Sequence, residues 1–209
     1  NLNTHNTLYS SRIYNKKRIN IEMDLLGEYD QLRNTYSTNL KRNLKKAAEA
    51  KLTVFENLKP EAVVHLFKKN RGAKFKEFTE EEYQSLLRLV YKAIQLGKAE
   101  VWGVYTSSNN LCAAAIFLRS HKRVSFLFSS SDSYAREHSA LPYLLDSFIE
   151  ANAGRELVFD FEGAMSESLA RFYLGFGSRK IAYTQIEWVR GNVVLRLLLN
   201  TYLKWRKYT

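Results

Sequence analysis

Leu169-Ala170-Arg171-Phe172-Tyr173-Leu174-Gly175-Phe176-Gly177 is the stretch on which the reading of this sequence turns. Its first six residues continue a helical pattern that begins at Ser166, and Gly175 and Gly177 stop it, because glycine enters the backbone conformations past a helix end at least cost. Just upstream, residues 157–161 (Leu-Val-Phe-Asp-Phe) read as a buried strand. Just downstream, Ile181, Tyr183, Gln185 and Glu187 alternate with Ala182, Thr184, Ile186 and Trp188, which predicts a second strand over residues 180–188.

Working outward, residues 139–153 predict a helix that stops at Gly154. Three strands precede it, at 100–106, 111–119 and 123–129, separated by Ser-Ser-Asn-Asn and Ser-His-Lys turns that suit an antiparallel meander. Thr79 followed by Glu82 is a capping box, with Glu80 and Glu81 at the positive end of the helix dipole. Tyr83, Leu86, Leu87, Val90 and Ile94 then keep helical spacing up to Gly97. Pro60 opens a helix that runs to about Lys69, after a short strand at 52–58. Ser37 or Thr38 caps a helix to about Lys51, with Leu40, Leu44 and Ala47 as a narrow apolar stripe and Lys41, Arg42, Lys45 and Lys46 over the rest. Before that, residues 18–25 alternate as a strand and residues 29–36 form a short helical piece. From Leu52 onward the order is strand, two helices, three strands, helix, strand, helix, strand. This predicts an α/β (α+β) fold with a mixed central sheet flanked by helices.

Charge is distributed unevenly. The chain's 209 residues carry a formal +11, with 16 basic and 7 acidic groups in residues 1–76, 11 and 14 in 77–188, and 5 and 0 in 189–209. Basic ends around a mildly acidic middle suit either an anionic partner or plain solubilising charge. Cys112, the only cysteine, lies in an apolar strand and forms no intrachain disulfide, which fits a reducing, cytoplasmic setting. His5, His65, His121 and His138 show no metal-ligand spacing, so no metal site is expected. Apolar runs fall short of the ~18–20 residues of a spanning helix.

Three local patterns carry a resemblance to a known family. Residues 36–47, from Tyr36 to Ala47, are similar to the basic helix that opens the second half of Fem-type proteins. Phe159-Asp160-Phe161-Glu162-Gly163 resembles that subgroup's Asp-Phe-x-Gly-like strand end. The stretch 169–177 resembles the Tyr-x-x-x-Gly-Phe helix and turn of the Gcn5-related N-acetyltransferase (GNAT) superfamily. The resemblance covers roughly residues 17–190 and implies a bacterial-type, Fem-like acyltransferase or acetyltransferase. Such an enzyme passes an acyl or aminoacyl group directly to an amine acceptor, with acyl-CoA (acetyl-CoA) or aminoacyl-tRNA as rival donors and no covalent intermediate. A catalytically idle module that binds nucleic acid or an anionic surface is the alternative.

The resemblance also implies a site. The donor would lie in a gap between two parallel strands, here 123–129 and 157–161, with a backbone N–H around Phe128, Ser129 and Ser130 polarising the acyl carbonyl. Arg136, Ser139 and Ala140 belong to the expected phosphate loop. Its usual glycines are missing from Arg136-Glu137-His138-Ser139-Ala140-Leu141, which weakens ordinary coenzyme A binding and leaves room for a tRNA donor. Asp160 and Glu162, two apart on a strand, are expected on one side against a wall of Phe159, Phe161 and Phe128, as candidate general bases. Tyr173 is the candidate proton donor to the leaving group. As domains, residues 1–51 are read as a connector from a preceding GNAT-like half, 52–190 as the acyltransferase domain and 191–209 as a basic amphipathic tail. The tail is either a helix or a hairpin strand, with a membrane surface, a missing half or a second copy as its partner. The chain thus reads as the C-terminal part of a two-lobed transferase.

Overall fold

The computed structural model describes residues 13–72, 78–163 and 166–188. In chain order these form β1 (Ile13–Asp24), α1 (Tyr29–Asn34), α2 (Thr38–Glu49), β2 (Thr53–Phe55), α3 (Pro60–Phe67), a π-helical turn (Lys68–Gly72), α4 (Glu80–Gln95), β3 (Ala99–Tyr105), β4 (Leu111–Ser120), β5 (Arg123–Ser131), α5 (Ser133–Glu137), α6 (Ala140–Asn152), β6 (Val158–Asp160), α7 (Glu167–Leu174) and β7 (Arg179–Trp188). The strand order is β2-β3-β4-β5-β6-β1-β7, with β5 and β6 parallel and the other registered pairs antiparallel. The expected mixed sheet is therefore present. The expected tail at 191–209 lies outside the described residues.

The caps form as the sequence predicts. Thr79 Oγ1 accepts from Glu82 N (3.3 Å) and Thr79 N donates to Glu82 Oε2 (2.6 Å). Ser37 Oγ accepts from Leu40 N and Ser166 Oγ from Leu169 N, each satisfying an amide that the first helical turn leaves free.

Two compact units partition the chain. Asn20–Lys180 is one. In the other, whose described residues are 13–19 and 181–188, Arg18 Nε donates to Gln185 Oε1 at 2.6 Å.

Within Asn20–Lys180 the sheet is buried on two faces. Ala113, Ala115 and Phe117 of β4 join the cluster that holds Leu40, Leu44, Leu145, Phe148 and Tyr173 from α2, α6 and α7. Ala114 and Ile116 join Val63, Leu66, Val90 and Ala93 from α3 and α4. Burial on both sides explains why β4 reads as one unbroken apolar run. Phe117 stacks on Phe148 with centroids 3.8 Å apart, at the centre of the first cluster.

Two local features depart from the reading of residues 123–153. Residues 133–137 form a separate short helix, because Asp132 caps it by accepting Ala135 N (2.7 Å). In β5 the register jumps: Ile116 faces Phe128 and Phe117 faces Phe126, so Leu127 is an unpaired bulge residue.

Candidate active site

The bulge at Leu127 resets the alternation of β5. Val124 and Phe126 point into the cluster beneath α6 and α7, whereas Leu127 and Phe128 pack on the α3–α4 side. Phe128 meets Phe67 there at 5.0 Å. The expected wall of Phe159, Phe161 and Phe128 is thus divided between the two faces. An extra residue on one strand of a pair turns the following side chains over and bends the strand.

That bend opens the sheet. β5 and β6 pair only over Arg123–Ser125 and Val158–Asp160. Past Asp160 the chain follows β1 instead, with Phe161 N donating to Ile21 O (2.9 Å). β5 continues to Ser131, and its side facing β6 has no strand partner from Phe126 onward among the described residues. Tyr173 of α7 lies across the opening. Its ring stacks on Phe161 (4.9 Å) and meets Phe126 edge-on (6.2 Å). Burial, and then the negative charge of Glu162, push its phenol up to about 12. Tyr173 is therefore a neutral phenol at neutral pH. It stands two residues before Gly175, where the family pattern has four. The match at 169–177 thus lies in the helix end and Gly-Phe turn.

Asp160 and Glu162 do not share a strand face. The strand ends at Asp160, whose Oδ1 accepts Glu162 N (2.8 Å), and Glu162 turns through φ +63°. Asp160 is buried and committed elsewhere: Oδ1 also accepts Asn20 Nδ2 (2.8 Å) and Oδ2 accepts Arg123 Nη2 (2.9 Å). Arg123 Nη2 also meets Glu22 Oε1 at 2.5 Å, and Asn20 Nδ2 donates to the same oxygen at 3.0 Å. Burial alone would lower the Arg123 pKa, but the hydrogen bonds to Glu22 and Asp160 raise it. Glu162 is exposed, and its charge acts on Tyr173.

The stretch expected as a phosphate loop is the least ordinary part. Ser139 caps α6 in the left-handed region (φ 58°, ψ 36°), a conformation that favours glycine, and makes no side-chain cap bond. Arg136 N and His138 N are spent on Asp132 O and Tyr134 O within α5. Pro142, at the third helical position, has no N–H. The amides around Ser139, Ala140 and Leu141 are what this helix start retains for an anion. The Arg136 side chain is exposed and donates to Ser131 O (3.1 Å). Ser129 faces Ala115 across the ladder, and Ser130 faces Ala114 with its hydroxyl buried and unpartnered.

Sequence reasoning missed Asn20, Glu22 and Arg123. The signal available was the polar set Asn20, Glu22 and Asp24 that alternates with Ile21 and Met23 along β1. No group of His, Cys, Asp and Glu that could hold a metal is found among the described residues.

A sheet opened between two parallel strands is the arrangement of an acyl-transfer fold of the acetyltransferase type. The family model described as acetyltransferase (GNAT) domain matches residues 34–168, and the chain belongs to that family. Among solved structures it is similar to FemX at 11% identity and TM-score 0.65, covering 81% of this chain and 62% of that one. It is also similar to the C-terminal domain of a putative lysylphosphatidylglycerol synthetase from Agrobacterium fabrum (13% identity, 87% and 63% covered, TM-score 0.58). L-PGS from Bacillus licheniformis is a third (12% identity, 92% and 67% covered, TM-score 0.57). At these identities the likeness is one of fold, and the chain spans about three fifths of the length of FemX. No curated protein sequence matches it significantly. The matched domain, residues 34–168, is of the acetyltransferase (GNAT) type. No described helix is long and apolar enough to cross a membrane.

Proposed function

We propose that the protein is an N-acyltransferase that takes an aminoacyl group from an aminoacyl-tRNA ester and passes it to an amine acceptor in the opening between β5 and β6. The observation that carries the site is Tyr173 lying across that opening, against Phe126 on one side and Phe161 on the other. In this reading an N–H on the unpaired edge of β5, around Phe128, Ser129 and Ser130, polarises the acyl carbonyl. Glu162 removes a proton from the attacking amine, the new C–N bond forms as the C–O bond breaks, and Tyr173 returns a proton to the departing oxygen. Asp160, bound on both oxygens, supports Glu162 rather than acting as the base.

Two observations favour a tRNA ester over an acyl-CoA thioester. The contracted set of amides at α6 offers little to a pyrophosphate, and Lys41, Arg42, Lys45 and Lys46 are exposed on α2 for a polyanion. Acyl-CoA, the commoner donor in the family, remains the competing substrate.

The test supplies bulk tRNA charged with mixed labelled amino acids, or acetyl-CoA, with hydroxylamine as a surrogate amine. We expect enzyme-dependent loss of the tRNA ester, sensitive to salt and abolished by Glu162→Gln, and no thiol release from acetyl-CoA. Thiol release alone would refute the tRNA donor. Turnover of neither, with binding to tRNA retained, would mean an idle nucleic-acid-binding module.

A further inference from the structure

Asn20, Glu22, Arg123 and Asp160 form a closed ring of side chains across three strands. Asn20 Nδ2 bridges Glu22 Oε1 (3.0 Å) and Asp160 Oδ1 (2.8 Å). Arg123 Nη2 bridges Glu22 Oε1 (2.5 Å) and Asp160 Oδ2 (2.9 Å). Glu22 and Asp160 are both buried. Such a ring needs a reason, since two desolvated carboxylates on one guanidinium are costly and an apolar replacement is often no less stable. It sits on the face of β5, β6 and β1 opposite Phe159, Phe161, Ile21 and Met23, which lie in the core beneath α6 and α7.

Among the described residues, one side-chain hydrogen bond leaves the ring, and it points to the ring's use. Asp160 Oδ1 accepts the N–H of Glu162, the residue whose backbone stands at φ +63°. A residue with a side chain held in that region is strained and persists only when its surroundings fix it. Phe161, between the two carboxylates, stacks on Tyr173 at 4.9 Å, and the Glu162 charge acts on the Tyr173 phenol. We propose that the ring is a positioning device: Asn20, Glu22 and Arg123 fix the Asp160 carboxylate, which holds the Glu162 backbone in its left-handed turn and so sets the Glu162 carboxylate beside Tyr173. This deepens the reading of Glu162 and Tyr173 as the acid–base pair and rests on it for its catalytic meaning. The positioning itself is a separate, measurable fact. It makes Asn20, Glu22 and Arg123, which touch neither donor nor acceptor, residues on which the geometry of the site depends.

The experiment reads Tyr173 directly. The full chain is labelled with 3-fluorotyrosine, which brings phenol titrations into a range the fold tolerates, and its ¹⁹F signal is assigned with Tyr173→Phe. Because the Glu162 charge raises the phenol's pKa, Glu162→Gln lowers the Tyr173 midpoint. Asp160→Ala is expected to lower it as well, and Glu162→Gln added to Asp160→Ala is expected to lower it no further. Asp160→Asn, which keeps an oxygen for the Glu162 N–H, returns the midpoint toward wild type. Asn20→Ala, a milder cut in the same ring that covers the case of an Asp160→Ala protein that does not fold, gives a smaller shift in the same direction. Midpoints unmoved in Asp160→Ala and Asn20→Ala, additive shifts in the double variant, or an Asp160→Asn protein that behaves like Asp160→Ala would each overturn the proposal. Loss of tRNA-ester turnover in Glu162→Gln tests the catalytic reading separately, so either can fail while the other stands.

Discussion

Gly177→Ala is the substitution that most sharply tests why the Gly-Phe-Gly turn exists. Gly177 has φ +74°, and a Cβ there would lie 1.9 Å from Thr35 Oγ1 and 2.6 Å from Thr35 Cβ. Two costs follow. Placing an L side chain in the left-handed region costs ~1–2 kcal/mol. Relieving the overlap costs a further ~1–3 kcal/mol, the range for overpacking a filled site, because the Thr35 hydroxyl is tied to Leu32 O (2.6 Å) at the C-terminal end of α1. The corner cannot simply drift away: Ser37 N donates to Gly175 O (2.8 Å), and the Tyr36 ring meets Phe176 edge-on at 5.5 Å. Urea denaturation of Gly177→Ala should therefore show a loss of about 3 kcal/mol at unchanged m-value. In a Thr35→Gly background, where both clashing atoms are gone and the nearest remaining atom is Thr35 O at 3.3 Å, the same change should cost only the backbone part, ~1–2 kcal/mol. A cost below ~1 kcal/mol in the wild-type background, or one that Thr35→Gly does not reduce, would refute the reasoning; differences of this size lie well above the ~0.3–0.5 kcal/mol by which independent sites fail to add.

Two further outcomes are expected. Asp146 of α6 is buried, with Oδ2 accepting Tyr29 Oη (2.9 Å) and the Tyr36 hydroxyl as a second donor. Burial raises its pKa above the ordinary 3.8, against the bonds from Tyr29 and Tyr36. Between 3.8 and that higher folded value the native state holds a proton the unfolded chain has released, so this group's contribution to stability falls as pH rises through the window. Asp146→Asn, which keeps an oxygen for the tyrosine hydroxyls and puts no charge in the buried site, should then stabilise the protein by on the order of 1 kcal/mol at pH 7. The gain should shrink as pH falls through the same window, as followed by denaturant titrations; a destabilised variant at pH 7 would contradict this. Ser139→Gly should stabilise by about 0.5–1 kcal/mol, because φ 58° is relieved with no cap bond lost. It should leave acetyl-CoA binding by calorimetry unimproved, since the amides of Arg136 and His138 remain spent within α5.

Much of the scaffold was legible because the interactions that set it are local. Thr79 with Glu82, Ser37 with Leu40 and Ser166 with Leu169 are bonds within one helical turn, written into neighbouring residues. The alternation of Ile19, Ile21 and Met23 marked the side of β1 on which Ile21 and Met23 are buried, while Ile19 on the same alternation is exposed. The candidate site was legible as a neighbourhood, through the opening beside β5, Glu162 and Tyr173, but its geometry was not. An unpaired Leu127 is invisible in a string of residues with high strand propensity, since nothing in Val124-Ser125-Phe126-Leu127-Phe128 shows which partner each will face.

Apart from the short helix at 133–137, the order of strands and helices could be read along the chain, as could the cap of α4 and the basic face of α2, because these follow from backbone periodicity and contacts within a few residues. That Phe128 turns away from Phe159 and Phe161, that Asp160 spends its carboxylate on Arg123 and Asn20, and that Glu162 is a separate exposed charge acting on Tyr173 came only with the folded chain. Asn20 and Asp160 are 140 residues apart, and Arg123 and Asp160 are 37 apart. Contacts that span such distances form only when β1, β5 and β6 come side by side, so the chemistry of the site is a property of strand pairing that no local pattern encodes.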